Sequence, residues 1–205
     1  MAPSTGKYRK GILKREEILT VALAFVAEHG YNQATVRELA DAVGISKTGL
    51  MHHFESKEEL FAEILRRRDT LDATQSTVLG DEPLAEGLPA LFSRAIDVPG
   101  LVQLFARFSA EATDPAHSAH AYFVERYARS RELVALAVRG EQDAGRIDDG
   151  VDADALAAAL LAAMDGLQIQ WLLDPQLDMA HALSVLLHAL GVARVPAQQD
   201  VSAAG

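Results

Sequence analysis

The 205-residue chain has no cysteine, which excludes disulfides, thiolate nucleophiles and cysteine-ligated zinc or iron–sulfur sites. It also lacks a run of alternating β-branched residues, an internal repeat and a low-complexity tract. There is no G-x-S-x-G, no phosphate-binding glycine loop and no H-E-x-x-H, so the enzymes built on those motifs are excluded. Acid pairs such as Asp148-Asp149 fall in a loop. No catalytic residue, cofactor or metal site is therefore expected. No apolar h-region follows the N-terminal basic residues, so no secretory signal is expected. The most apolar stretch, Ala155 to Leu173, is rich in alanine and interrupted by Asp165, Gly166, Gln168 and Gln170. An aspartate at the centre of a span costs about 2.5–3.5 kcal/mol on insertion scales, which alanine does not offset. The expectation is a cytoplasmic protein without a membrane partner.

Apolar residues make up 49% of the chain, enough to bury a core without staples in one large domain or two small ones. Charge is scarce in one direction only: Lys and Arg total 19 against 29 Asp and Glu, a net charge of -10. Read globally, that opposes nucleic-acid binding. The distribution does not, because residues 1–70 hold 11 basic and 10 acidic residues. The acidic excess lies in 71–205, with 8 basic and 19 acidic. Lys7, Arg9, Lys10, Lys14 and Arg15 precede the first acid, Glu16. A basic arm on an acidic body suits a protein that engages a polyanion with one end.

The hydrophobic spacing is helical almost throughout, and the fold expected is all-α with about nine helices. Ile18, Leu19, Ala22, Phe25 and Val26 mark the first, stopped at Gly30. Thr35-Val-Arg-Glu38 is a capping box opening a short helix that ends at Gly44. Ser46 caps a third helix to about His53, and Ser56-Lys-Glu-Glu59 opens a long one running toward Gly80. Breakers at Pro83, Pro89, Pro99-Gly100, Asp114-Pro115, Gly145, Gly150, Asp174-Pro175 and Gly191 delimit further helices near 89–97, 101–112, 115–144, 152–173 and 178–190. Asp114, Asp152 and Asp178 are the expected caps. The organisation expected is a flexible basic arm (1–12), a helix-turn-helix domain (13–56) and a connecting helix (57–79). A ligand-binding and dimerisation domain (80–193) and a flexible tail (194–205) complete it.

Two short capped helices meeting at Ala42-Val-Gly44-Ile45 have the spacing of a helix-turn-helix, whose second helix enters the DNA major groove. In that second helix Leu50 and Phe54 can pack inward. Ser46, Lys47, Thr48 and Gly49 sit at its N-terminus, where small donors and the positive dipole end approach DNA. An ordinary helical hairpin shares this spacing. The residues from Ile18 to Leu65, however, resemble the DNA-binding domain of the tetracycline-repressor (TetR) family of bacterial regulators. The resemblance is carried by Ile18-Leu, Ala22, Phe25, Gly30-Tyr31, Thr35-Val-Arg-Glu-Leu-Ala40, Ala42-Val-Gly-Ile-Ser46, Leu50, His53-Phe54, Ser56-Lys57 and Leu60. Asp143-Ala-Gly-Arg-Ile147, followed by a helix through Met164-Asp-Gly-Leu167, is similar to a later helix junction of the family.

The resemblance implies a double-stranded DNA operator as partner, and Lys57 as a lysine that clamps a phosphate at a helix N-terminus. Thr35 and Arg37 are expected at phosphates. Met51 stands where the family usually has tyrosine, with His52 and His53 available for phosphate contact and Met51 for a thymine methyl. Arg66-Arg-Arg68 reads as a solvated face, and His117 and His120 as surface histidines rather than metal ligands. The resemblance also implies a cavity for a small-molecule inducer, here from Phe92, Phe105, Phe108, Glu111, Tyr122, Phe123, Tyr127, Met164, Gln168 and Trp171; an aromatic stripe is otherwise simply core. The helices 152–173 and 178–190 imply a homodimer through a four-helix seam that would include Leu183 and Leu187. Two readings follow: a ligand-responsive repressor, or a helical small-molecule-binding or catalytic protein whose helix-turn-helix is only structural. The basic arm and the match from Thr35 to Lys57 favour the first.

Overall fold

A computed structural model describes residues 5–75 and 83–192, and among them it has nine α-helices and no strand, as expected. These are α1 (Thr5–His29), α2 (Val36–Val43), α3 (Lys47–Met51), α4 (Lys57–Gln75), α5 (Leu84–Ala95), α6 (Pro99–Glu111), α7 (His120–Asp143), α8 (Ala153–Leu173) and α9 (Met179–Ala189). They fall into two compact units, one within 1–76 and 94–128, the other within 77–93 and 129–205.

The first unit is organised on α1. Its stripe of Ile18, Leu19, Ala22 and Val26 is buried, in one core with Leu39, Ala40, Leu50, Phe54, Leu60, Phe61, Ile64 and Leu65 and with Leu101, Leu104, Phe105 and Phe108 of α6. Each such Leu, Ile or Phe contributes about 1.5–3 kcal/mol by leaving water. α1 stops at Gly30, whose φ of 81° suits a residue without Cβ and whose N–H donates to the Val26 carbonyl at 2.9 Å. The start of α6 presses against this end. A Cβ on Gly100 would stand 2.1 Å from the Val26 carbonyl oxygen and 2.7 Å from Gly30 Cα.

Charged side chains stitch α4 to its neighbours. Arg15 reaches Glu59 at 2.8 Å and Glu63 at 3.8 Å, and Arg67 reaches Glu16 at 3.0 Å. Arg66 pairs with Glu63 at 3.3 Å and Glu125 at 3.4 Å. The Arg66–Arg68 run is therefore not the solvated face that its sequence suggests: Arg66 and Arg67 are half-buried and paired. Asp69 accepts from the Tyr122 hydroxyl at 2.8 Å and from Arg126 Nε at 3.0 Å. Burial, reinforced by the Asp69 charge, pushes the Tyr122 hydroxyl far up, so it stays a donor. Exposed pairs are worth about 0–1 kcal/mol each, so this stitching sets helix register more than stability.

Several element ends differ from expectation. α1 begins at Thr5, so residues 5–12 continue a helix instead of forming an arm, and Arg15 is committed to α4. α3 stops at Met51 rather than His53. α6 and the start of α7 belong with α1 and α4, so the first unit does not end at the expected boundary of 80. Pro89 lies inside α5, where it costs one intrahelical hydrogen bond while Leu84, Leu88 and Phe92 bury the helix side. α7 begins at His120, because the Asp114 carboxylate caps a single turn, accepting from the Ala116 amide at 2.9 Å. His117 Nδ1 accepts from the Ala119 amide at 3.2 Å, and His120 Nδ1 lies 2.8 Å from the Ala112 carbonyl. Fastening this connection accounts for their spacing. The end of the expected connecting helix (76–79) and the tail (194–205) lie outside the described residues.

The second unit takes most of α5, the C-terminal part of α7, and α8 and α9. Its buried side chains include Leu84, Leu88, Phe92, Val134, Val138, Leu160, Met164, Trp171, Met179, Leu183 and Leu187. Glu141 is buried at 4% exposure, accepting from the Leu84 amide at 3.0 Å and from Arg146. Burial pushes its carboxyl up, but these hydrogen bonds and the Arg146 charge prevail and hold it below the usual carboxylate range. Asp152 caps α8, accepting from the Asp154 amide at 3.0 Å and the Ala155 amide at 3.1 Å; Asp178 caps α9, accepting from the His181 amide at 2.8 Å.

α8 is long and apolar enough to cross a bilayer by length and composition. Yet it buries a stripe of Ala153, Ala157, Leu160, Met164 and Trp171 inside its own unit and carries Asp165 in mid-helix. Its opposite side leaves Ala158, Ala162, Ile169 and Leu173 exposed. Leu183 and Leu187, expected in a seam between subunits, are instead 0% exposed within the single chain. On α9 it is the opposite side, carrying Val185, that remains exposed, and Leu190 is exposed at the C-cap, past the end of the helix.

Candidate nucleic-acid interface

The corner from Thr35 to Lys57 is built by local chemistry. Thr35 caps α2, its hydroxyl accepting from the Glu38 amide at 3.3 Å while its own amide donates to Glu38 Oε2 at 3.0 Å. Hydrogen bonding to the Thr35 hydroxyl and amide holds the Glu38 carboxyl below the usual range. The box closes as its spacing predicts. Gly44 has φ 76°, and the Ile45 amide donates back to the Ala40 carbonyl at 3.0 Å, so the chain reverses between α2 and α3. Ser46 then caps α3, accepting from the Gly49 amide at 3.0 Å. A Cβ on Gly49 would lie 3.2 Å from Ser46 Oγ, so this glycine keeps the cap hydroxyl free of crowding. At α4, Ser56 Oγ accepts from the Glu59 amide at 3.0 Å, but the Glu59 carboxylate reaches the Glu55 amide, one residue before the cap.

Leu39, Ala40, Leu50 and Phe54 face inward, as expected. The ten side chains or backbone positions expected at DNA all keep solvent access. Thr35, Arg37, Ser46, Lys47, Thr48 and His52 are exposed, and Gly49, Met51, His53 and Lys57 are half-buried. A five-residue helix with a free polar N-terminal turn and an inward apolar side can present Lys47 and Thr48 to base edges. Basic and hydroxyl groups on its flanks can meet phosphates.

Sequence spacing missed what supports this corner. Lys57 Nζ lies over two rings, 5.4 Å from the Tyr31 centroid and 5.2 Å from that of Phe61. Tyr31 also carries the Arg107 guanidinium at 5.2 Å and stands edge-on to Phe61 at 5.0 Å and Phe108 at 5.7 Å. Burial raises the Tyr31 hydroxyl above its ordinary value, with the Arg107 charge opposing. The i, i+4 spacing of Lys57 and Phe61 was a visible signal; the approach of Tyr31 and Arg107 was not. Arg15, read as part of a basic arm, lies 4.9 Å over Phe54.

The residues expected at a ligand divide between the units. Phe105, Phe108, Tyr122 and Phe123 are buried in the first core, with Tyr127 packed against it; Glu111 is exposed and accepts from Arg107 Nε at 2.9 Å. In the second, Phe92, Met164 and Trp171 are buried and Gln168 is half-buried.

Comparison with known proteins agrees with this architecture. The family described as bacterial regulatory proteins, tetR family, matches residues 18–64, and that described as BetI-type transcriptional repressor, C-terminal, matches 81–193. The chain is 32% identical over 158 residues to the HTH-type transcriptional repressor AcnR of Corynebacterium diphtheriae, covering 75% of this chain and 78% of that one. A transcriptional regulator from Rhodococcus sp. Rha1 superposes with a TM-score of 0.66 at 28% identity, over 86% of this chain and 95% of that one. One from Saccharomonospora viridis, solved in complex with choline, gives 0.67 at 28% identity, over 85% and 93%. The chain thus belongs to the tetR family of bacterial regulatory proteins: it is a helix-turn-helix transcriptional repressor with a BetI-type C-terminal half.

Proposed function

We propose that this repressor works in the cytoplasm as a homodimer on a near-palindromic operator, and that a small molecule releases it. The observation that carries the reading is the Thr35–Lys57 corner, whose polar residues stay accessible while Leu39, Leu50 and Phe54 anchor it. Two copies of α3 roughly 34–36 Å apart would read two half-sites. The apolar residues left exposed on α8 and α9, Ile169, Leu173 and Val185, support a subunit seam there. For release, the S. viridis relative supports a small ligand as effector. A ligand that repacks Phe105, Tyr122 or Phe123 would act on α4 through the Tyr122 and Arg126 bonds to Asp69. A coupling of about 1–3 kcal/mol suffices for such a switch. No step in this reading calls on a catalytic residue.

The test is fluorescence anisotropy with duplexes tiled across the DNA flanking the chain's own gene, against a shuffled duplex, at moderate salt. One tile is expected to bind at least about 10³-fold more tightly than the shuffled control. Equal binding to all of them would return the helix-turn-helix to a merely structural role.

A further inference from the structure

Five cations in the described residues lie over aromatic faces: Arg15 over Phe54, Lys57 over Tyr31 and Phe61, Arg66 over Tyr122, Arg107 over Tyr31, and Arg126 over Phe105. Four of them also hold a carboxylate: Arg15 with Glu59, Arg66 with Glu63 and Glu125, Arg107 with Glu111, and Arg126 with Asp69. Lys57 differs. Among the described residues it has two rings and no ion pair. It also stands at the first position of α4, where the positive end of the helix dipole opposes an ammonium. Folding alone gives no reason for an unneutralised cation at that place.

The rings do two things that a carboxylate cannot do together. They restrain a long, flexible side chain, and they leave its charge unneutralised. An ammonium already confined costs less to order when an anion arrives, which is preorganisation. Tyr31 is the element of this cage that does not belong to α4. It is braced edge-on by Phe108 of α6, and the second cation at its ring, Arg107, is occupied by Glu111 at 2.9 Å.

We infer that Tyr31 is a positioning residue for DNA binding, holding the Lys57 ammonium ready for a backbone phosphate. This rests on the reading of Lys57 as a phosphate contact. Tyr31 carries no charge to the interface, so its loss changes affinity without changing the number of counterions released.

The experiment is anisotropy of a random-sequence duplex across a salt series, with Lys57→Ala, Tyr31→Leu, Tyr31→Phe and the Lys57→Ala/Tyr31→Leu double variant. Lys57→Ala is expected to lower the salt slope by about 0.9 per subunit. Tyr31→Leu is expected to weaken binding about 5- to 30-fold for two subunits at unchanged slope, from a few-fold per cation–ring contact. Tyr31→Phe keeps the ring and should restore most of the affinity. In the Lys57→Ala background, Tyr31→Leu should have no further effect. An equal Tyr31→Leu penalty in both backgrounds, with the Lys57→Ala slope lowered, overturns the positioning role and leaves the DNA reading intact. A Lys57→Ala slope equal to wild type overturns both.

A second measurement does not depend on the leucine variant folding. The full chain is reductively methylated with ¹³C, and the Lys57 signal is assigned by its absence from Lys57→Ala. Ring currents should shift that signal upfield; an ordinary lysine shift overturns the cage.

Discussion

Replacing Leu183 and Leu187 together by glutamate is expected to unfold the second compact unit, not to release folded subunits. Both leucines are 0% exposed in the single chain. Each substitution would bury a carboxylate with no partner designed for it, or force the unit open, at a cost of several kcal/mol apiece. Whole-domain stability is about 5–15 kcal/mol, so two such changes consume most of it. Glutamate at Ile169 and Val185 should behave differently, because these side chains are 50% and 53% exposed in the isolated chain. There the charge meets water in a free subunit, and only the partner's surface in the proposed dimer forbids it. Circular dichroism and light scattering separate the cases. The Leu183/Leu187 variant should lose helical signal, and the Ile169/Val185 variant should keep it at half the wild-type mass. A folded monomer from the leucine pair would put those residues in the seam after all.

Gly100→Ala should be the most damaging single methyl in the first unit. The added carbon would sit 2.1 Å from the Val26 carbonyl oxygen and 2.7 Å from Gly30 Cα. Both obstacles are backbone, so no rotamer change relieves the contact. α6 must then move away from α1 and from the core that Leu101, Leu104, Phe105 and Phe108 share with it. About 3 kcal/mol, at the upper end of overpacking costs, is the expected loss. Urea unfolding measures it directly. For comparison, Gly44→Ala meets nothing within 4 Å and pays only for its φ of 76°, about 1–2 kcal/mol. A Gly100→Ala chain as stable as wild type would contradict the close α1–α6 approach.

The features legible in the sequence are those whose causes lie within a few residues. The Thr35–Glu38 box, the left-handed Gly44 and the Asp152 and Asp178 caps are each decided by a side chain three or four positions from the group that it satisfies. The inward positions of Leu39 and Leu50 followed from helical phase on short helices, and Phe54 is buried as well although it lies beyond the end of α3. Phase was weaker guidance on α9, where apolar residues occur on more than one side: it sets Leu183 and Leu187 apart from Val185, but only packing decides which of the two sides lies inside the chain. The ligand residues show the same limit. Phe105, Phe108, Tyr122 and Phe123 have core spacing, and core is where the structure places them. Contacts made across long sequence separations left no local trace: Tyr31 with Arg107, Arg15 with Glu59, Asp69 with Tyr122. The basic arm was misjudged for that reason, since what becomes of Arg15 is settled 44 residues away.

In the proposed function α3 reads bases while the start of α4 grips the backbone. That division of labour is tested most directly by comparing Lys47→Ala, Thr48→Ala and Lys57→Ala on the selected duplex and on random DNA across a salt series. The expected result is a loss of about 1–3 kcal/mol per base contact for Lys47→Ala and Thr48→Ala, confined to the selected duplex. For Lys57→Ala the loss should be shared by both DNAs, with the salt slope lower by about 1.8 for two subunits. Equal losses on both DNAs for Lys47→Ala and Thr48→Ala would contradict that division of labour.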